Sequence, residues 1–236
     1  MSTNGPENVL YIDKPAGCTS FDVIRQLRRQ TGLRKFGHAG TLDPAATGLM
    51  LIGVGPGTKQ LTALTKLDKV YEATIFLGAS STTGDRDGEV VAAQPVDMSA
   101  LENRAVEEVL AGLVGEVELP VSAYSAIKRD GVPMYKRARA AAARGETVDD
   151  VPVRLMHVYS AELLDMQSTT YQEHSGVALR VRFHVGSGTY IRSLAEAVGQ
   201  RLGYPAMLTA LRRTKVGDFC VEDAVTPESV QELEIK

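Results

Sequence analysis

Strand-like and helix-like segments do not alternate regularly along this chain, and their order limits the folds it can adopt. Branched and aliphatic runs typical of strands occur at 10–13, 49–54, 70–77, 153–164 and 177–185, with a hairpin expected at 168–175. Apolar residues with helical spacing occur at about 20–30, 59–67, 101–111, 134–144, 190–202 and 206–212. Because these segments do not form successive βαβ units, we expect an α/β (α+β) fold with a mixed, mostly antiparallel sheet flanked by helices.

Composition excludes several classes of protein. Hydrophobic residues make up 44% of the 236 residues and charged residues 23%, as in soluble globular proteins. No apolar run approaches the roughly 18 residues of a membrane span, and the polar segment Met1–Asn8 lacks the features of a secretory signal. Cys18 and Cys220 stand far apart, and the four histidines form no metal-binding pattern. We therefore expect a cytoplasmic protein with no disulfide, metal or membrane anchor.

Charge is distributed unevenly although the net charge is only −3. Basic residues cluster at 21–37, 128–144 and 212–215, whereas the tail at 220–236 is acidic. Such runs are often solvated helix faces, and a localised phosphate-binding surface is the alternative. Charge alone leaves both interpretations open.

The most informative segment is 35–49, with the sequence KFGHAGTLDPAATGL. It presents one carboxylate, Asp43, on a loop bounded by glycines and containing a proline, directly before a buried apolar run. An aspartate before proline often accepts a backbone hydrogen bond in an Asx-turn, so a purely local role is also open.

This segment closely resembles the motif GHxGTLDPxATG of the TruB family of pseudouridine synthases in its bacterial form. Four further blocks match the family in the same order: 12–20, 69–85, 125–139 and 188–214. They include Lys69-Val70-Tyr71, Gly188-Thr189-Tyr190-Ile191-Arg192 and Leu211-Arg212-Arg213-Thr214. The resemblance extends from about Leu10 to Phe219, which is nearly the whole chain.

The resemblance implies the pseudouridine synthase fold, with 1–236 as a single catalytic domain. An RNA-gripping insertion is expected at about 120–150. Many relatives continue into a small C-terminal RNA-binding domain, and we expect none here because the tail at 220–236 is too short.

The resemblance also implies a reaction, the isomerisation of uridine to pseudouridine at position 55 in the T-loop of tRNA. No cofactor or metal is expected, because the base is only detached, turned and rejoined. Asp43 takes the role of nucleophile, and whether it attacks the sugar or the base, or deprotonates the sugar, stays open. Arg192 is expected to pair with Asp43 and keep it ionised. Tyr71 is expected to stack on the uracil and to help remove the proton from C5.

Further residues are expected to bind the substrate. A base inside folded RNA must be flipped out, and His38 would fill the space it leaves. Tyr190 and Leu211 would line the pocket. Asp85 would either belong to the active-site framework or shape its own loop. The remaining substrate-binding candidates are basic: Lys14, Lys128 and Arg139.

The bacterial signature implies an enzyme that works without guide RNA, and we expect a monomer. Two departures from the family pattern are Pro205-Ala206-Met207, where bacterial members often carry Gly-Ala-His, and Ser81 in place of threonine. A noncatalytic RNA-binding or tRNA-folding module is the main alternative function, and the set of Asp43, Tyr71 and Arg192 argues against it. Nucleotide hydrolysis is disfavoured, because the glycine-rich segment 53–59 lacks the Gly-Lys-Ser/Thr ending of a phosphate-binding loop.

Overall fold

The computed structural model describes residues 6–146, 148 and 150–232. The strands are β1 Val9–Lys14, β2 Phe36–His38, β3 Thr47–Val54, β4 Lys69–Leu77, β5 Ala79–Ser81, β6 Val90–Ala93, β7 Gly115–Pro120, β8 Lys128–Arg129, β9 Val132–Pro133, β10 Val153–Tyr171, β11 His174–Val185, β12 Ala206–Val216 and β13 Phe219–Cys220. The helices are α1 Ser20–Thr31, α2 Leu61–Thr65, α3 Asn103–Ala111, α4 Met134–Ala142 and α5 Ile191–Leu202. Short 3₁₀ helices occupy Gly55–Gln60, Met98–Ala100, Val221–Asp223 and Pro227–Glu232.

A nine-stranded sheet has the order β1-β3-β12-β4-β11-β10-β7, with β2 paired to β3 and β13 paired to β12. β1 and β2 run antiparallel to β3, whereas β12 runs parallel to it. β7 and β10 are antiparallel. The sheet is therefore mixed, and the predicted fold class is confirmed.

The chain divides into two compact units. The first takes its described residues from Met1–Glu72, Arg182–Ser187 and Ala210–Lys236, and the second from Ala73–Val181 and Gly188–Thr209. In the first unit, β3 is buried along seven of its eight residues. A core cluster forms around it from Ala39, Leu49, Leu51, Leu64, Val216 and Val221. The single catalytic domain stays a prediction.

Helix α1 illustrates how the sequence determines a local structure. Thr19 and Asp22 form a reciprocal capping box, in which Oγ1 of Thr19 accepts from the Asp22 amide at 3.1 Å and Oδ2 of Asp22 accepts from the Thr19 amide at 2.8 Å. Gly32 ends the helix with a left-handed φ of 71°. Val23, Ile24 and Leu27 form the buried face, as the apolar spacing predicts.

Most expected elements are present, but the helix predicted at 206–212 is wrong. These residues begin strand β12, which lies between β3 and β4. Alanine, leucine, methionine and arginine favour helices only weakly, and pairing in the middle of a sheet overrides that preference. Ala206, Met207 and Leu208 are all buried, as suits a central strand covered on both faces.

Three boundaries also differ from the predictions. The helix expected at 101–111 begins only at Asn103, after a short 3₁₀ helix at Met98–Ala100 that Asp97 caps. The helix expected at 59–67 is shortened to α2. The hairpin expected at 168–175 falls largely within β10 and β11, which are separated by a tight turn with Gln172 at φ 52°. None of the helices in the described ranges is long and apolar enough to span a membrane.

Candidate active site

Asp43 lies in the first unit, on the loop that joins β2 to β3. Its carbonyl accepts a hydrogen bond from the amide of Ala46 at 3.1 Å, which closes a turn with Pro44 in the second position. Gly40 and Gly48 stand on either side of this turn with φ of 91° and 107°. A Cβ at Gly48 would lie 2.2 Å from the carbonyl oxygen of Arg213, so the chain needs glycine where it enters β3.

Lys14 is hydrogen-bonded to the backbone of this loop. Its side chain is fully buried, and Nζ donates to the carbonyls of Pro15, Pro44 and Ala46 at 2.8, 3.1 and 2.6 Å. The amide of Gly17 donates to the Pro44 carbonyl as well, at 2.9 Å. The ammonium therefore binds two carbonyls that closely follow Asp43 in the loop, those of Pro44 and Ala46. Contact between Lys14 and substrate stays a prediction.

Two side chains that the sequence did not point to also hold the loop. The guanidinium of Arg213 donates from Nε to the Leu49 carbonyl at 2.7 Å and from Nη2 to the Gly40 carbonyl at 3.2 Å. Oγ of Ser20 donates to the Leu42 carbonyl at 3.1 Å and accepts from the Leu42 amide at 2.9 Å. Both lie in matched motif blocks, but backbone acceptors leave no trace in a sequence, so no pattern indicated these contacts.

His38, Tyr71 and Leu211 also belong to the first unit. His38 ends β2, and its Nδ1 is buried with no hydrogen-bond partner among the described residues. Burial, and then the charge of Arg213, lower the pKa of His38 below its usual 6.5, so the ring is neutral at neutral pH. Tyr71 is 8% exposed on β4, and Leu211 is half-buried on β12.

Arg192 lies in the second unit, in the first turn of α5, and Tyr190 occupies the N-cap position of that helix. The Arg192 side chain is 5% exposed. Nη1 donates to the Thr83 carbonyl at 2.8 Å and to Oγ of Ser122 at 3.0 Å, and Nη2 donates to the Tyr124 carbonyl at 3.2 Å. The guanidinium is thus held by groups from two separate loops.

Asp85 shapes its own loop, and it also faces Arg192; a part in the active-site framework stays a prediction. Its Oδ1 accepts from Oγ1 of Thr83 at 2.6 Å and from the amide of Asp87 at 3.1 Å, which shapes its own loop. Its Oδ2 lies 3.6 Å from Nε of Arg192. Oγ of Ser81 donates to the Asp85 carbonyl at 2.5 Å. The serine that stands in place of threonine therefore still supplies a hydroxyl that hydrogen-bonds to this loop.

Lys128 and Arg139 are exposed in the basic segment of the second unit. Lys128 begins the β8–β9 hairpin, and Arg139 on α4 places its guanidinium 5.6 Å from the ring centroid of Tyr135. Their neighbours Arg129 and Arg137 pair with Asp150 and Asp130 at 2.6 and 2.8 Å. Within the described part of the chain, Lys128 and Arg139 have no such acidic partner.

The structure therefore assembles two groups of the predicted site residues. Asp43, Lys14 and His38 lie on or beside one loop of the first unit, and Arg192 and Asp85 face each other in the second. The ion pair of Asp43 with Arg192 joins residues of different units and stays a prediction. Across residues 6–146, 148 and 150–232, no three His, Cys, Asp or Glu side chains converge on a point that could hold a metal ion.

A family model described as TruB family pseudouridylate synthase (N terminal domain) matches residues 28–191. The chain belongs to the TruB family. The matched range contains Asp43, Tyr71, Asp85 and the segment 120–150, and it ends one residue before Arg192. The sequence-based resemblance is confirmed.

Curated members of the TruB family cover almost the whole chain. The tRNA pseudouridine synthase B of Corynebacterium efficiens is 45% identical over 224 residues, which are 95% of this chain and 72% of that protein. Those of Leifsonia xyli and Geobacillus kaustophilus are 45% and 41% identical and cover 92% and 95% of this chain. The alignment spans 69% and 76% of these two proteins.

Solved structures share the TruB fold. A Cbf5-Nop10-Gar1 complex contains a chain that superposes with a TM-score of 0.69 at 27% identity, over 95% of this chain and 53% of that one. An H/ACA RNP bound to a substrate RNA containing 2'-deoxyuridine gives a TM-score of 0.66 at 24% identity, over 95% and 52%. This chain thus spans about half the length of these structural neighbours.

Proposed function

We propose that this chain isomerises uridine to pseudouridine at position 55 in the T-loop of tRNA, with Asp43 as the nucleophile. One observation carries the proposal: the loop that bears Asp43, held by side chains on both sides, lies in the segment that matches the TruB family. Relatives named tRNA pseudouridine synthase B, 41–45% identical over more than nine-tenths of the chain, support tRNA as the substrate.

The reaction breaks the bond between N1 and C1′ and forms one between C5 and C1′. The proton leaves C5 and N1 gains one, so the change is an isomerisation with no net oxidation. A carboxylate at C1′ or C6 stabilises the detached state by covalent bonding, and deprotonation of the sugar is the third role open to Asp43. No cofactor takes part in this scheme.

Arg192 provides the positive charge that keeps Asp43 ionised. Its guanidinium is already oriented by Thr83, Ser122 and Tyr124, so little reorganisation is needed when substrate binds. The negative charge of Asp85 at 3.6 Å offsets the cost of burying the guanidinium. We place Asp85 in the active-site framework on this basis.

The target uridine is flipped out of the T-loop before reaction. Tyr71 stacks on the uracil and assists removal of the C5 proton, and Tyr190 and Leu211 line the pocket. The flat ring of His38 fills the space left in the RNA stack, and its lowered pKa keeps the ring neutral there.

The T stem is bound through its phosphates. Lys128 and Arg139 suit this task because their charges are exposed and not neutralised by an acid among the described residues. Lys14 contributes by fixing the loop and by adding positive charge near the substrate. The enzyme acts as a monomer in the cytoplasm, without guide RNA.

The proposal is tested by incubating an unmodified tRNA transcript with the wild-type chain and, separately, with Asp43→Asn. In a third reaction the wild-type chain is incubated with a transcript that carries cytidine at position 55. Product is mapped by reverse transcription after carbodiimide treatment. We expect pseudouridine at position 55 with the wild-type chain alone. Binding of the tRNA without product by the folded wild type would sink the enzyme proposal and favour an RNA-binding module.

A further inference from the structure

Arg213 is among the largest fully buried side chains of the described residues, and it is 1% exposed. A buried guanidinium is costly unless its charge and donors are compensated. Within the described ranges no carboxylate lies at ion-pair distance from Arg213, and its hydrogen bonds go to the carbonyls of Leu49 and Gly40. The chain therefore retains a buried cation whose two hydrogen bonds end in the loop that carries Asp43 and in the strand that follows it.

The two acceptors of Arg213 lie on opposite sides of Asp43 in the chain. Gly40 is three residues before it, and Leu49 is the third residue of β3. One planar guanidinium thus links the start of the loop to the strand at its end. The backbone of Arg213 is itself fixed, since it pairs with Gly48 in the parallel ladder between β12 and β3.

Ser20 holds the middle of the same loop from another direction. It is the first residue of α1 and is 2% exposed. Its hydroxyl exchanges two hydrogen bonds with Leu42, the residue directly before Asp43. A serine in the first turn of a helix could instead serve the helix end, but here its polar atom is directed to the loop.

We propose that Arg213 and Ser20 are positioning residues that clamp the loop of residues 39–46 and thereby fix the carboxylate of Asp43 for reaction. The inference rests on the proposed role of Asp43. Displacement of a reacting group by about 1 Å can cost on the order of 100-fold in rate, so the clamp acts on the chemical step more than on tRNA binding.

Arg213 has a second consequence that gives a spectroscopic readout. Its charge contributes to the low pKa of His38, and a backbone hydrogen bond to Gly40 opposes that shift. Removing the charge should therefore raise the pKa of His38. Such a rise would show that the substitution removes a positive charge beside His38.

The test compares Arg213→Gln, Ser20→Ala and the wild type, with Leu27→Ala as a control. Leu27 is fully buried on the same helix as Ser20 and cannot hydrogen-bond to the loop, so its loss lowers stability without removing the clamp. All chains are assayed below their melting temperatures. The measurements are the single-turnover rate constant at saturating enzyme, the Kd for tRNA, the His38 pKa by NMR and the exchange rate of the Leu42 amide.

We expect the single-turnover rate constant to fall about 100-fold in Arg213→Gln and about tenfold in Ser20→Ala, with Kd within about threefold of wild type. The pKa of His38 should rise in Arg213→Gln only, and the Leu42 amide should exchange faster in both variants than in Leu27→Ala. Rate constants within about twofold of wild type, or an equal loss in Leu27→Ala, overturn the clamp.

The outcomes separate the clamp from the function on which it rests. A wild-type chain that forms no pseudouridine refutes the proposed function, and the Leu42 exchange rate then still decides whether the loop is clamped. If Arg213→Gln does not fold, Ser20→Ala decides the kinetic question. An active wild type with both variants fully active refutes the clamp alone.

Discussion

Arg212 and Asp13 form a bidentate ion pair, with Nη2 2.7 Å from Oδ2 and Nη1 3.0 Å from Oδ1. They lie on β12 and β1, the two strands that flank β3 in the sheet. Nη1 of Arg212 also donates to Oγ1 of Thr47 at 3.4 Å, where β3 begins. The pair therefore ties both neighbouring strands together across the end of the loop that bears Asp43.

A double-mutant cycle measures this tie. Asp13→Asn and Arg212→Lys should each destabilise the chain in urea denaturation. We expect a coupling free energy of about 0.5–1 kcal/mol between the two residues. Both side chains are partly exposed, which limits the coupling, and the bidentate geometry raises it above that of a typical surface pair. The coupling should weaken in 1 M salt. The exposed Arg104–Glu108 pair on α3 is the control and should show a smaller coupling. Equal coupling in both pairs would contradict this account.

The buried lysine Lys69 should make the stability of the chain increase at alkaline pH. It is 5% exposed, and Nζ donates to the carbonyls of Thr65 and Leu67 at 2.7 and 2.5 Å. Burial, and then the charge of Arg213, lower the pKa of Lys69 from 10.5 to about 8. Between these two values the unfolded chain holds a proton that the folded chain has released. The contribution of Lys69 to the free energy of unfolding therefore increases as the pH rises from about 8 to about 10.5, by up to about 3 kcal/mol.

The measurement compares the unfolding free energy of the wild type with that of Lys69→Met between pH 7 and pH 10.5. The unfolding free energy of the wild type should increase relative to that of the variant as the pH rises, and the difference between them should stay constant below about pH 7. Lys66→Met is the matched control, because it removes the same charge from an exposed neighbouring position. A difference between the wild type and Lys69→Met that stays constant with pH would contradict a lowered pKa of Lys69.

The sequence predicted the parts of the site that depend on residue type and order. The string around Asp43 and the Gly-Thr-Tyr-Ile-Arg block identified the family, and the apolar spacing at 20–30 predicted helix α1. The contacts of Lys14, Ser20 and Arg213 were not predicted, because each ends on backbone carbonyls or amides that every residue possesses.

The one element of the wrong type, 206–212, has a related cause. Its composition favours a helix, and only the neighbours β3 and β4 make it a strand. Arg213 follows directly and is fully buried there, whereas on a helix such a residue would be expected at the surface. The mistaken element type therefore also hid the buried guanidinium beside the Asp43 loop.

Asp85→Asn should slow catalysis with little effect on tRNA affinity. The amide can still accept from Thr83 and Asp87, but the negative charge facing Arg192 is lost. Loss of a charged hydrogen-bonding partner in a buried site costs ~1–3 kcal/mol, so the single-turnover rate constant should fall about tenfold or more. Asp87→Asn in the same loop is the control, since Asp87 is exposed. Equal effects of the two substitutions would show that the charge on Asp85 is not used.

Lys128 and Arg139 should contribute to tRNA binding through charge and not through chemistry. Replacing either with alanine should raise Kd and reduce the slope of log Kd against log salt by about one, because one phosphate contact is lost. Arg129→Ala and Arg137→Ala are matched controls on the same segment, and their smaller effects follow from pairing with Asp150 and Asp130. The single-turnover rate constant at saturating enzyme should stay unchanged in all four variants. A fall in that rate constant, with an unaltered salt slope, would assign Lys128 and Arg139 to the reaction centre.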